Sequence, residues 1–348
     1  IVVKINDIWG SINIVRKKFT NVAKARLISG LVGPSIIFIL TKDFGLYSLV
    51  VYTGFAAFFS LLYYSNFSSI DFKFKFDYQK IKLIFKDGII LQFLAISFWA
   101  FRLSDRTMIS FFLSYEDLGL YTFAANLALF LKTFVGEFHT VLQPIAWGEI
   151  NKEDKSTFSN LLKTTYFISI ISFVFIPLSQ LVFFFIVNFY SVEYISASPV
   201  FNILSFSTYS IAVGGIVGII LNSNTFKKYN LSLTYSLIGL LLNLILDYFL
   251  IVNGHGLISI ALATLIVQFF ISFVQFIHLK DYMFENYINL LKFYLIILFP
   301  FLLLVSLMFI LEKNIVITSV FNGIVFSFIP ITISLIILIK YKQYFFEK

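Results

Sequence analysis

Arg102, Asp105 and Arg106 fall within little more than one helical turn of an otherwise apolar stretch, and Lys132, Glu137, His139 and Gln143 lie in the next one. Cations at such positions can hold a phosphate or an acidic sugar through charge-assisted hydrogen bonds. Acids, amides and imidazole there can line a polar cavity or pass a proton or metal cation. At about 100° per residue, Gln92, Arg102, Arg106 and Ser110 share one helix face within an arc of about 80°. The following helix carries Tyr121, Lys132, His139 and Gln143 on one face, with Ala125, Ala128 and Gly136 beside them. Farther along, Ser232, Ser236, Gly239, Asn243 and Asp247 recur at helical spacing, a pattern that suits close helix packing or a cavity wall.

Each of these groups also has a plainer reading. Asp105 lies three residues after Arg102, so the two can form a local ion pair that leaves one arginine over. Lys132 and Glu137 are five apart and project about 140° from one another, so Lys132 needs a partner from elsewhere. His139 reads as a hydrogen-bonded bundle residue or a proton relay. Asp247 suits interfacial exposure or ion coupling, and Gly214 with Gly218 suits close helix packing. The sequence contains no cysteine and three histidines, His139, His255 and His278, which excludes thiol chemistry and gives no metal cluster. No cofactor and no catalytic residue is implied, and the chain does not read as an enzyme.

The elements that must carry these residues follow from composition. Of 348 residues 59% are hydrophobic and 13% charged, with a mean hydropathy of +0.92, too little polar surface to cover a water-soluble globule. A helix that crosses ~30 Å of hydrocarbon needs roughly 20 apolar residues, because only a helix satisfies its own backbone groups there. Ten stretches qualify, at about 22–41, 44–64, 88–113, 118–147, 164–187, 198–221, 229–252, 257–278, 290–311 and 315–339. The fold class expected is therefore all-α, a polytopic transmembrane bundle of about ten helices.

The basic residues test this list independently, since lysine and arginine stay on the cytoplasmic side. The alternation places 21 of them on one side of the membrane and only Lys42 and Lys313 on the other. Both ends of the chain are thus expected in the cytoplasm. The net charge of +8 is spread along the chain and forms no patch for nucleic acid.

Three turns on the outer side restart their helix alike: Gly45-Leu46-Tyr47-Ser48, Gly119-Leu120-Tyr121-Thr122 and Gly256-Leu257-Ile258-Ser259. This repetition divides the chain into a cytoplasmic leader (1–21), the last helix pair of a first lobe (22–65) and a cytoplasmic linker (66–87). A complete six-helix second lobe (88–282) and a terminal helix pair (283–348) follow. The linker's Asp71-Phe72-Lys73-Phe74-Lys75-Phe76 reads as an interfacial segment held by anionic membrane lipids. Residue 1 is Ile, and four helices of an earlier lobe are expected to be absent.

Ser104-Asp105-Arg106-Thr107, then Leu118-Gly119-Leu120-Tyr121-Thr122 and Pro144, resemble the opening hairpin of the second lobe in polysaccharide and O-antigen flippases. That family belongs to the multidrug, oligosaccharidyl-lipid and polysaccharide exporter superfamily. Asn243 to Thr264, with Asp247, Gly256 and Ala261-Leu262-Ala263-Thr264, is similar to the last hairpin of that lobe. The resemblance implies alternating-access transport of an oligosaccharide on undecaprenyl pyrophosphate across the bacterial inner membrane. Its product would feed surface polysaccharides such as lipopolysaccharide, with polysaccharide assembly proteins as partners. Arg102, Arg106 and Lys132 then stand as substrate-binding residues. Asp105, Glu137, His139, Gln143, Asn243 and Asp247 stand as coupling or cavity residues. Two rivals remain: a multidrug or small-molecule exporter of the same fold, which expects an acidic cavity, and a membrane-embedded polymerase or glycosyltransferase, which expects a large outer loop or an acidic catalytic pair.

Overall fold

The structure of the chain, a computed structural model, describes residues 2–67, 77–150, 155–189, 192–223, 225–284 and 286–314, together with Thr332 and Ile336. The expected linker motif 71–76, Lys152, nearly all of the expected span 315–339, and Lys340, Lys342 and Lys348 lie outside the described residues. Eleven α-helices are present among the described residues, and no strand. They are α1 (Val2–Val15), α2 (Phe19–Phe44), α3 (Ser48–Phe67), α4 (Tyr78–Phe112), α5 (Tyr115–Ile150), α6 (Lys155–Phe189), α7 (Ser198–Leu221), α8 (Tyr229–Val252), α9 (Gly256–His278), α10 (Lys280–Met283) and α11 (Tyr287–Asn314).

Seven of these stretches, on α2 and on α4 to α9, are long and apolar enough to span a bilayer among the described residues. The polytopic helical bundle read from the sequence is therefore borne out. The expected spans 198–221 and 229–252 coincide with α7 and α8, because Pro199 at the start of α7 and the Lys227–Lys228 loop before α8 punctuate the chain. Helix α4 begins ten residues before the span expected at 88. Its 35 residues measure about 52 Å, so its basic first turns, with Lys80 and Lys82, exceed the hydrocarbon thickness.

The chain forms two compact units, Ile1–Ile81 with Thr140–Ile145, and Lys82–His139 with Ala146–Lys348. In the first, α1 and α2 both pack on α3. The stretch expected as a leader thus holds a helix, joined to α3 where Ser60 donates to Asn6 Oδ1 at 2.8 Å. In the second, α7 and α8 both pack on α9, and α6 packs on α7. The turns that feed these two triplets share one geometry. Lys17 (φ 57°) and Lys227 (φ 48°) adopt left-handed conformations, each followed by a lysine that opens the next helix.

Helix α7 is the core of the second unit, apolar on all sides and buried over most of its length. Aromatic rings from its neighbours interleave with it. Phe183 stacks on Phe201 at 4.2 Å, and Tyr209 stacks on Phe301 of α11 at 5.1 Å. On another side the His139 ring of α5 lies flat against Gly215, where an added Cβ would stand 2.4 Å from its Cε1. Gly218, one turn on, has open space.

Gly215→Ala should therefore lower the thermal midpoint of the purified protein by the equivalent of about 1–3 kcal/mol, the usual penalty for overpacking. Gly218→Ala should leave it unchanged or slightly raised, which a fluorescence melt in detergent would resolve.

Candidate functional site

Asp105 is 5% exposed, on the side of α4 that faces the interior of the second unit, although it sits between two arginines in sequence. Four donors converge on its carboxylate. Tyr121 of α5 donates to Oδ2, and Thr264 of α9 donates to the same oxygen at 2.9 Å. Asn243 of α8 donates to Oδ1 at 2.6 Å, with Ser104 at 3.4 Å. The same Asn243 amide donates to Asp247 Oδ2 at 3.0 Å and lies 3.1 Å from Ser104 Oγ. Asn243 and Asp247 are both 0% exposed.

Two carboxylates thus share one amide in the buried interior, contributed by α4 and α8 and closed by α5 and α9. Neither forms an ion pair with a lysine or arginine among the described residues. Two adjacent buried negative charges are too costly to stand uncompensated. Asn243 Oδ1 and Asp247 Oδ1 are also buried without a hydrogen-bond donor. The arrangement fits one added positive charge, either a shared proton or a small oxygen-loving metal cation. It does not suit a soft metal, since the atoms available to ligate one are carboxylate, amide and hydroxyl oxygens.

The cations occupy different surroundings. Arg102 is exposed, its guanidinium 4.7 Å over the Trp99 ring one turn earlier. Arg106 is half-buried and donates to Asn126 Oδ1 of α5 at 2.8 Å, while its Nε is buried without a partner. Lys132 is half-buried and makes no hydrogen bond or ion pair among the described residues, although the charges of Asp105 and Arg102 both reach it. The local Arg102–Asp105 ion pair that the spacing permits is not formed. Tyr121, Thr264 and Asn243 hold Asp105 on the other side of the helix.

The remaining candidates do not join the carboxylates. Glu137 is half-buried farther along α5, and the buried His139 ring lies against Gly215 of α7 with its Nε2 lacking a hydrogen-bond partner. Gln143, also half-buried, lies in the part of α5 that belongs to the other unit. The α8 stripe is an interior seam, not an open wall. Ser97 donates to Ser236 at 2.7 Å, Ser232 donates to Asn222 at 2.9 Å, and Gly239 meets Ile271 and Phe101. Tyr121, Thr264, Ser104 and Asn126 were not among the residues assigned a role from sequence. Their signal is depth: each lies on its helix at the level of Asp105 or Arg106.

A helical membrane bundle with a buried acidic pair and unpaired cations is thus the class of protein that fold and site define. Residues 10–199 match the family described as "Polysaccharide biosynthesis protein", and the chain belongs to that family. Among curated proteins nothing matches the sequence. Among solved structures, "Lipid II flippase MurJ, inward closed conformation" is similar over 93% of this chain and 67% of that one, with 20% identity and a TM-score of 0.55. At that identity the likeness establishes a shared fold. The resemblance to polysaccharide flippases read from the α4 and α8–α9 motifs agrees with the family match.

Asn243→Ala removes the bridge and should cost about 1–3 kcal/mol of stability. In an Asp247→Asn background, where the repulsion is already relieved, the same change should cost no more than about half as much. Melts of the four proteins of this cycle would measure the coupling.

Proposed function

We propose that this protein carries an oligosaccharide linked to undecaprenyl pyrophosphate from the inner to the outer leaflet of a bacterial cytoplasmic membrane, for surface polysaccharides of the O-antigen type. It acts as a transporter by alternating access and transforms no bond. The observation that carries this reading is the trio Arg102, Arg106 and Lys132, three cations on two antiparallel helices, none of them in an ion pair with a described acid. Positive charge at that depth is costly, and a pyrophosphate or acidic sugar is the partner whose chemistry removes the cost. The family to which the chain belongs and the fold it shares with a lipid II flippase support the same cargo class.

The Asp105–Asp247 pair, with Asn243 and Thr264, serves as the coupling centre and accepts one proton or one monovalent metal cation per cycle. Lysines and arginines crowd one side of the expected topology, which puts both ends of the chain in the cytoplasm. Polysaccharide assembly proteins are the partners expected on the outer side. The exporter alternative for cationic drugs needs acids offered to the ligand. Here the acids are enclosed and the exposed charge is Arg102.

Arg102→Gln combined with Lys132→Gln, at wild-type abundance, should reduce transport of a radiolabelled lipid-linked oligosaccharide by about tenfold or more, as loss of charge-assisted contacts implies. Undiminished surface polysaccharide in a complemented flippase-deficient strain would remove these residues from the site. Asp247→Asn should retain oligosaccharide binding yet lose any dependence of transport on the sodium or proton gradient, read in proteoliposomes with each gradient imposed alone.

A further inference from the structure

A separate group of cations gathers at the end of the second unit where α8 begins and α9 ends. Lys228 Nζ lies 5.7 Å over the ring of Tyr282 in α10, and Lys280 Nζ lies 3.8 Å over the ring of Tyr287 at the start of α11. Tyr282 is itself wedged against Phe226, at 4.7 Å and nearly perpendicular, and Phe158 of α6 approaches both rings. The lysines are therefore held in place by aromatic faces fixed to the helix ends. Lys227, exposed on the same loop, adds a third cation. The acid opposing them among the described residues is Asp281, 3.0 Å from Lys280, but its side chain is 81% exposed while that of Lys280 is 18% exposed. Lys227 and Lys228 form no ion pair among the described residues.

The apolar half of the feature begins one turn farther on. Helix α11 turns Leu290, Phe293 and Tyr294 inward, where Phe293 meets Tyr166 at 4.9 Å and Tyr294 donates to Ser272 of α9 at 3.1 Å. Its other face exposes Ile288, Leu291 and Leu295, a stripe at helical spacing with Lys292 beside it. Cations beside aromatic rings, followed by an exposed apolar stripe along α11, match a molecule with an anionic head and an extended hydrocarbon tail. A zwitterionic head brings its own cation to the lysines and gains far less.

We propose that this elbow binds an anionic phospholipid, with the phosphate between Lys228 and Lys280 and one acyl chain along Ile288, Leu291 and Leu295. The site is distinct from Arg102, Arg106 and Lys132 and stands whether or not they bind the transported substrate.

The test is native mass spectrometry of the full-length protein released from nanodiscs of equimolar phosphatidylglycerol and phosphatidylcholine. The wild type should retain phosphatidylglycerol over phosphatidylcholine by about thirtyfold, the preference that two surface lysines at about 1 kcal/mol each confer. Lys228→Gln with Lys280→Gln should bring that ratio close to one, and Lys228→Gln alone, the change less able to disturb folding, should fall between. Lys42→Gln, at the opposite expected face, should leave the ratio unchanged. Equal retention of the two lipids by the wild type, or an undiminished preference in the double variant, would overturn the assignment.

Discussion

The Asn243 amide, donating at once to Asp105 and Asp247, is the contact on which the arrangement of the second unit turns. Burying one carboxylate is expensive; burying two beside each other multiplies the expense, and hydrogen bonds to charged groups are the main local compensation. Asp105 collects its donors from α4 itself, α5, α8 and α9. Four helices that lipid alone would leave indifferent to one another are thereby fixed in register, since a one-residue rotation of any of them would strand a polar group in hydrocarbon. The seam continues about two turns earlier on α4, where Ser97 donates to Ser236.

That same constraint sorts the charges of α4. Asp105 and Arg106 are adjacent in sequence, and about 100° of helical rotation separates them. With Asp105 drawn inward, Arg106 is left half-buried against Asn126 and Arg102 stands exposed beside Trp99. A sequence that places acid and base side by side therefore keeps them apart in space. The arginines remain uncompensated because their nearest acid is occupied with four neutral donors.

Much of this was legible in the sequence. Seven of the ten expected spans were, because long apolar stretches are a direct consequence of the bilayer. Helices α7 and α8 fall where those stretches put them. The inward face of α8 was legible as a stripe, since small and polar residues at helical spacing have no business facing lipid. What the stripe met was not legible. Asp105 could equally have paired with Arg102 by spacing, and nothing local reveals that Tyr121, Thr264 and Asn243 outbid the arginine. Those three lie 16, 159 and 138 positions away, and a contact at that range is fixed only when the helices dock. Glu137 and His139 show the converse. They share α5 with Lys132, yet His139 serves packing against Gly215, a role that needs a glycine on another helix to be recognised.

The proximity of the two sets of charges has a thermodynamic consequence for the proposed cycle. Lys132 is reached by the charge of Asp105, and Asp105 shares its helical turn with Arg106. A positive charge taken up between Asp105 and Asp247 cancels part of the negative potential that these cations otherwise feel, so their hold on an anion strengthens. Linkage is reciprocal: a bound pyrophosphate must tighten the uptake of the cation by the same factor. In the low dielectric of a membrane interior, that factor can be substantial without any movement of the backbone. The α4–α5 hairpin, tied at one level by Tyr121 to Asp105 and at the next by Asn126 to Arg106, carries Asp105 and the three cations, while Asp247 stands on α8. In the proposed cycle, occupancy of one site thus acts on the other through charge.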